Sequence, residues 1–353
     1  MKQPHTDWRL EKPLTDELLA ERLPAPLTLR PGMVQRQDIK VLDDFDWHLW
    51  QAGLLLLRVN DRELRIHTSG DSCLASCPAA TDSRFWWQLP SGRLADILKE
   101  HLDVRAFEEK YRCLVARQRL AVLNRDEKIV VRLMLLTLPD TTGEPVSLLA
   151  IRALRGYQQE YEQVTAALEV LDPVKIAATD LRQLLLEDGL DVAIPVSKPH
   201  FELQPDEPAE QAVTRMAARM LQLARHQEQG IIADTDTEFL HQYRVNIRKV
   251  RSLISLFRKS LTAERCQLLK PALKSLGSRT NRLRDLDVFL LDQDYYRSML
   301  PDHLQPGWER LQRKVRRRRM NEQKKIAATL AAEEYLEQIS GTLRTLQYAP
   351  VAH

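Results

Sequence analysis

The order of apolar and polar positions divides the chain into two parts. From about residue 34 to 155 the apolar residues come in short runs. Leu54–Val59 is a compact run after Gly53, and Arg62–Thr68 reads as its hairpin partner, with Asn60-Asp61 at the turn. Arg112–Leu123 and Lys128–Leu138 flank Asn124-Arg125-Asp126-Glu127 as a second hairpin, and Ile129, Val131, Leu133 and Leu135 share one face. Val146–Arg152 gives a further strand after a turn at Thr142-Gly143, while Gly92–His101 and Tyr157–Leu171 have helical spacing. Residues 1–33, with Pro13, Pro24, Pro26 and Pro31, predict an irregular lead-in.

Pro173, Pro195, Pro199, Pro205 and Pro208 then collect around a short helix near Thr179–Glu187, and strand signals cease. Glu210–Gln229 is helical and stops at Gly230. Thr235 and Glu238 form a capping box that opens a helix to about Ser260. Ala263–Leu276, Arg279–Tyr296 and a long helix from Trp308 to about Leu346 follow. The expected fold class is α+β: an antiparallel β-rich domain at 34–200, a linker at 201–208, and an all-α bundle of five helices at 209–350.

Composition narrows the class. Of 353 residues 44% are hydrophobic and 29% charged, so a packed core is expected. No apolar run approaches the roughly 18 residues of a membrane helix, and Met1–His5 precedes no apolar stretch of a secretory signal. A membrane, secreted or fibrous protein is excluded on these counts, and a cytoplasmic one is expected. Cys73, Cys77, Cys113 and Cys266 lack the spacing of a zinc site, so reduced thiols, no metal and no cofactor are expected.

Charge sharpens the division. Residues 207–353 hold 26 Lys and Arg against 17 Asp and Glu, and 19 of those cations are Arg. The rest of the chain is net acidic. The planar guanidinium fork suits phosphate oxygens, so the bias points to an anionic partner or, more blandly, to a solvated basic surface.

The segment Leu240–Leu261 carries the most information. Leu240, Tyr243, Ile247, Val250, Ile254, Phe257 and Leu261 alternate three and four apart as one core stripe. His241, Arg244, Arg248 and Arg251 form a second row, with Arg258 one heptad further. Between Phe239 and Leu261 there is no acidic residue. Such a row repels itself unless a polyanion, or acids from neighbouring helices, neutralise it. No nucleophile accompanies His241, so no catalytic residue is assigned. On the last helix Arg313, Arg316, Arg317 and Lys324 form either a second wall of a groove or a nonspecific nucleic-acid patch. Trp308 is the only close aromatic and has core spacing with Leu311 and Val315, which disfavours single-strand recognition.

His241-Gln-Tyr-Arg244-Val-Asn-Ile-Arg248-Lys249-Val-Arg251 resembles the signature helix of the CHAD family, the histidine-containing α-helical domains. Leu276-Gly277 and Leu283-Arg284-Asp285-Leu286-Asp287-Val288 resemble its second element, separated here by the insertion Ser278–Arg282. The resemblance covers about residues 208–346. It implies a helical fold and noncatalytic binding of inorganic polyphosphate, in a bacterial cytoplasm and associated with polyphosphate granules. The implied ligand set is His241, Arg244, Arg248, Lys249 and Arg251, joined by Arg284, Arg313, Arg316, Arg317 and Lys324. Asp285 and Asp287 either hold neighbouring arginines in position or form surface ion pairs. The family domain usually has two similar halves, and the chain has room for one, so a homodimer is expected.

The first domain resembles the CYTH, or triphosphate-tunnel, family. Asp43–Arg58 is similar to its Asp-Thr…Leu…Gly…Leu-Arg stretch, Arg112–Met134 to its paired cationic strands, and Gly156-Tyr157 and Ser197-Lys198 to residues further on. The family's metal-holding Glu-x-Glu-x-Lys has no counterpart, since Leu27–Lys40 contains no Glu. The resemblance therefore implies a degenerate tunnel, with Arg117 and Arg119, and Lys128 and Arg132, as inward pairs. A divergent triphosphate hydrolase is the rival reading, and a nucleic-acid binder using the last helix is a third.

Overall fold

The computed structural model describes residues 5–10, 14–68, 73–138, 146–176, 181–196 and 198–347. The chain divides into two compact units, Met1–Ile194 and Pro195–His353. The first comprises β1 (His5–Leu10), α1 (Asp16–Arg22), β2 (Thr28–Asp43), α2 (His48–Gln51), β3 (Leu54–Val59), β4 (Glu63–Thr68), β5 (Cys73–Pro78), α3 (Arg93–Leu102), β6 (Glu108–Leu123), β7 (Ile129–Leu138), β8 (Val146–Ala153), α4 (Gln158–Leu168), β9 (Val174–Ile176) and α5 (Leu181–Glu187). Its strands form one antiparallel sheet in the order β5-β4-β3-β2-β6-β7-β8-β1-β9.

The expected hairpins form. Asn60 and Asp61 take the left-handed conformation at the β3–β4 turn, which short polar side chains tolerate, and Asn60 Oδ1 accepts the Asp38 amide at 2.9 Å. Every residue of β3 is buried, as a run that is apolar on both faces requires. Its one charged member, Arg58, donates to the carbonyls of Ala80 at 2.9 Å and Ser83 at 2.6 Å. The expectation of an irregular lead-in is corrected. β1 lies between β8 and β9, and Trp8 is fully buried. Six residues bracketed by Pro4 and Pro13 are too few for a periodic signal, and the pairing with Val146–Ala153 is set by a segment far along the chain. The turn at Thr142-Gly143, Thr179-Asp180 and Ser197 lie outside the described residues.

Side chains alternate across the sheet. One face carries two cores. Leu120, Val122, Leu133, Leu149 and Ile151 pack with Tyr161, Val164 and Leu168 of α4, while Leu42, Leu56, Leu64 and Ile66 pack with Leu94, Leu98 and Leu102 of α3. The opposite face presents Ile39, Val41, Leu57, Val59, Cys113, Val115, Leu138 and Leu148, covered in part by Leu185 of α5 and by Leu190. Of the four cations expected to point inward, Arg117 lies on this face, Arg119 and Arg132 are exposed, and Lys128 sits in the hairpin loop beside Asp126 at 3.7 Å.

The second unit comprises α6 (Ala209–His226), α7 (Glu228–Ile232), α8 (Thr237–Leu256), α9 (Ala263–Ser278), α10 (Asn281–Leu291), α11 (Gln293–Ser298), α12 (Gln305–Ala331) and α13 (Glu333–Gln347). α8 packs against α6, α7, α9 and α10, and α12 packs against α7, α10 and α13. Several expected boundaries move. Gly230 lies within α7, and a Cβ there would meet the Phe239 ring at 2.2 Å, so its role is close approach to α8. Asp236, not Thr235, caps α8, accepting the amides of Glu238 at 2.9 Å and Phe239 at 3.3 Å. α9 continues through Gly277, the 279–296 segment breaks at Asp292, and the last helix breaks at Ala332, which takes an extended conformation. The core stripe holds from Leu240 to Ile254, all buried, but Phe257 is 38% exposed because α8 has ended at Leu256. Tyr243 and Tyr335 meet at 3.2 Å inside the bundle, and Tyr335 donates to Glu228 at 2.5 Å, tying α8, α13 and α7 together. Burial raises the Glu228 carboxyl above its ordinary range.

Candidate functional site

The core stripe fixes which way α8 faces, and so it fixes the cationic row. His241, Arg244, Arg248 and Arg251 fall about 110° around the helix from the buried stripe, over the flank where α9 and α10 pack. Arg244 is anchored there. Its Nη1 donates to the Gly277 carbonyl at 3.1 Å, Thr280 Oγ1 at 2.9 Å and Asn281 Oδ1 at 2.8 Å. All three partners are neutral, so the guanidinium is positioned but keeps its charge. Burial, with Arg284 and Arg248 nearby, lowers its pKa, while Asp285 acts the other way.

Arg248 and Arg251 are exposed and, with Ser252, Ser255, Lys270 and Lys274, line a cleft of about 480 Å³ between α8 and α9. Among the described residues, no carboxylate pairs with Arg248, Arg251, Arg284, Lys270 or Lys274. The same unit pairs other cations: Arg215 with Glu207 at 2.7 Å, Arg265 with Glu210 at 2.8 Å, and Arg319 with Asp287 at 2.8 Å. His241 sits at the head of the row. Burial and the charges of Arg284, Arg248 and Arg244 hold its imidazole below the ordinary histidine value, against the pull of Glu238. The dependence of His241 on Arg284 brings α10 into the same field as α8.

The structure thus gathers His241, Arg244, Arg248, Arg251 and Arg284. It does not gather the rest. Lys249 is exposed and turned about 100° from Arg248. On α12, Arg319 faces α10, which places Arg313, Arg317 and Lys324 roughly 120–160° away, on the exposed side. Arg316 donates to Gln293 Oε1 at 2.9 Å. Asp287 is 1% exposed and bonds Arg319, which also reaches Asp234. Burial raises the Asp287 carboxyl despite that partner. Asp285 is exposed. Lys270 and Lys274 escaped the sequence reading. Four apart on the helix already expected over Ala263–Leu276, they share a face, and Gly277 continues that row toward Ile247 of α8. The aromatic reading is also corrected. Trp308 is buried, Leu311 is 44% exposed, and the rings run in a chain from Trp308 to Phe289 at 5.9 Å, Tyr296 at 5.2 Å and Tyr295 at 5.7 Å.

A larger cleft of about 820 Å³ lies against Phe201, Pro208 and α6, and two of its three arginines, Arg215 and Arg265, are the paired ones, Arg219 being the third. In the first unit Asp44, Asp46 and His48 are the one group among the described residues close enough to share a cation. Arg105 already supplies it, contacting Asp46 and lying 3.8 Å from Asp44, and His48 Nδ1 is 2.6 Å from Asp44 Oδ2.

Residues 214–352 match the family model of the CHAD domain. The chain therefore combines an antiparallel β-rich unit with a helical unit that matches the CHAD domain. No curated protein matches the chain. Solved structures align at low similarity. A Hippeastrum protein, described as a candidate adenylyl cyclase with a dominant triphosphatase activity, is 11% identical with a TM-score of 0.39, covering 55% of this chain and 99% of its own. A candidate adenylate cyclase of Bacillus halodurans is 9% identical with a TM-score of 0.34, covering 52% and 97%. A Pyrococcus horikoshii protein is 13% identical with a TM-score of 0.27, covering 52% and 99%. Among the described residues no helix is long and apolar enough to cross a membrane.

Proposed function

We propose that the helical unit binds inorganic polyphosphate, without catalysis, along the flank of α8 that faces α9 and α10. One observation carries the reading: Arg248, Arg251, Arg284, Lys270 and Lys274 have no carboxylate partner among the described residues, while Arg244 is held only by neutral groups. A linear polyanion neutralises such a row and releases its counterions, which gives affinity and a steep salt dependence. The CHAD match over 214–352 supports the same ligand. A homodimer, association with polyphosphate granules and a cytoplasmic location belong to the proposal, and a strictly monomeric mass by light scattering removes the first of them.

The test is a titration of the full chain with polyphosphate at 0.15 M salt, with RNA as competitor. Arg248→Ala/Arg251→Ala is the informative variant, because Arg244 also ties α8 to α9 and α10. Binding that the double variant weakens at least tenfold, and that RNA fails to displace, is expected. Binding unchanged in that variant sinks the assignment. Displacement by RNA of equal charge favours a nucleic-acid partner instead, for which the exposed Tyr295 ring, 5.7 Å from the Tyr296 ring, would offer a stacking surface.

A further inference from the structure

The cleft on the flank of α8 does not stop where the helix stops. Ser252 and Ser255 also line a second hollow, of about 690 Å³, which continues round the end of α8 over Leu256, Phe257, Arg258, Lys259 and Ser260. The two hollows share those serines and so form one trough. Its lining joins Arg258 and Lys259 to the cations of α8 and α9, adds serine hydroxyls that can donate to phosphate oxygens, and contains no carboxylate. Arg258 and Lys259 are exposed, and among the described residues neither has a carboxylate partner.

A polyanion track should end at a helix C-terminus, because the last carbonyls carry a partial negative charge that repels phosphate. Here two cations follow those carbonyls directly. The Phe257 amide donates to the Leu253 carbonyl at 3.0 Å and closes the helix, and the Ser260 amide donates to the Phe257 carbonyl at 2.9 Å and turns the chain. The Cys266 thiol on α9 donates to the Arg258 carbonyl at 3.8 Å. The turn is thus held through its main chain, which leaves the side chains of Arg258 and Lys259 at the end of the trough.

Length then becomes a criterion. From His241 to Leu256 the helix rises about 22 Å, at about 1.5 Å per residue. A polyphosphate advances about 3 Å per phosphoryl group, so about eight groups cover that path. Tripolyphosphate covers less than half of it and engages the middle of the trough alone, where Arg248, Arg251, Lys270 and Lys274 stand together.

We propose that the Arg258-Lys259 turn is a binding segment of the polyphosphate site, and that it makes the site selective for chains of about eight or more phosphoryl groups. This inference rests on the polyphosphate reading above and specifies which chains that site takes.

Linear polyphosphates of three, about eight, about fourteen and about sixty phosphoryl groups are titrated into the full chain at 0.15 M salt, and each association constant is divided by the number of registers the chain offers. The corrected affinity should rise at least thirtyfold from three to about eight groups and level off beyond. Arg258→Ala/Lys259→Ala should weaken the chain of about fourteen groups about tenfold, lower its salt slope by about two, and leave tripolyphosphate within about twofold. Arg258→Lys/Lys259→Arg keeps both charges and should keep the wild-type length profile. A circular dichroism spectrum matching wild type shows that each variant is folded. A length profile unchanged in the double alanine variant overturns the inference. If Arg248→Ala/Arg251→Ala still weakens binding in that case, the polyphosphate reading stands without it. An equal loss for tripolyphosphate also overturns it, since the turn would then shape the trough without lengthening it. If no chain length binds, the polyphosphate reading fails and this inference fails with it.

Discussion

Two surfaces of this molecule hold arginines, and they differ in what surrounds them. On the flank of α8 the cations stand side by side with serines and lysines, open to solvent and without acidic partners among the described residues. On the sheet of the first unit Arg117 stands among Ile39, Val115 and Leu148, and several other cations have carboxylate partners: Arg112 pairs with Asp38, Lys40 with Asp61 at 2.8 Å, and Arg152 with Asp7 at 2.9 Å. Counting cations does not separate the two. What separates them is the neutralisation that the fold itself provides and the polarity of the wall. An open row of unneutralised charge favours a long polyanion.

Salt gives the largest contrast. Six cations, namely Arg244, Arg248, Arg251, Arg284, Lys270 and Lys274, released from counterions should make polyphosphate affinity fall about 10³-fold between 50 and 200 mM salt. A salt dependence much shallower than this would mean that the row is not the contact surface for the polyanion.

Gly230→Ala separates the units by stability. A Cβ at 230 would overlap the Phe239 ring, which is 3% exposed and has nowhere to move. Overpacking of this kind costs about 1–3 kcal/mol, roughly a 5- to 150-fold shift in the unfolding constant. Hydrogen exchange should show the loss across α6–α8, with protection of β3, β6 and β7 unchanged. Loss of protection in those strands would mean the two cores do not unfold separately.

How much of this contrast was legible beforehand follows from how local each determinant is. The α8 row was legible, because spacing of three and four over twenty residues fixes both a core stripe and its flank. β3 and the β3–β4 turn were legible for the same reason. β1 was not, since its six residues gain their place from pairing with β8. The apolar second face was missed because alternation on β2, β6, β7 and β8 shows that two faces exist, not which ligand either can hold. Lys270 and Lys274 lie four apart within the expected helix, so their shared face was legible, but that this face meets α8 shows only in the packing of Gly277 against Ile247. Helical spacing puts Arg313, Arg317 and Lys324 on one face of α12, but Arg319 and Asp287 decide which way that face turns.

Lys270→Ala/Lys274→Ala tests the part of the cleft that α9 supplies. Removing two of six cations should weaken polyphosphate about tenfold and lower the salt slope by about two. An unchanged slope would confine the ligand to α8 and α10.

The smallest effect comes from His241, and its sign distinguishes free from bound protein. In the free protein burial, followed by Arg284, Arg248 and Arg244, holds the imidazole pKa below 6.5. The unfolded chain takes up this proton near 6.5, the folded chain only at lower pH. The stability contributed by His241 is therefore full above about pH 6.5 and is lost as pH falls toward the lowered folded value. A bound polyanion reverses the local field and favours the imidazolium. Binding then takes up a proton, and affinity should rise about three- to tenfold from pH 8 to pH 5.5, while free-protein stability falls over the lower part of that range. Long polyphosphate is needed, so that titration of its terminal groups contributes little. His241→Gln keeps a donor without a titrating charge and should flatten the affinity profile while leaving affinity at pH 8 within about twofold. A profile that stays steep in His241→Gln would move the titrating group elsewhere and leave His241 a packing residue at the first turn of α8.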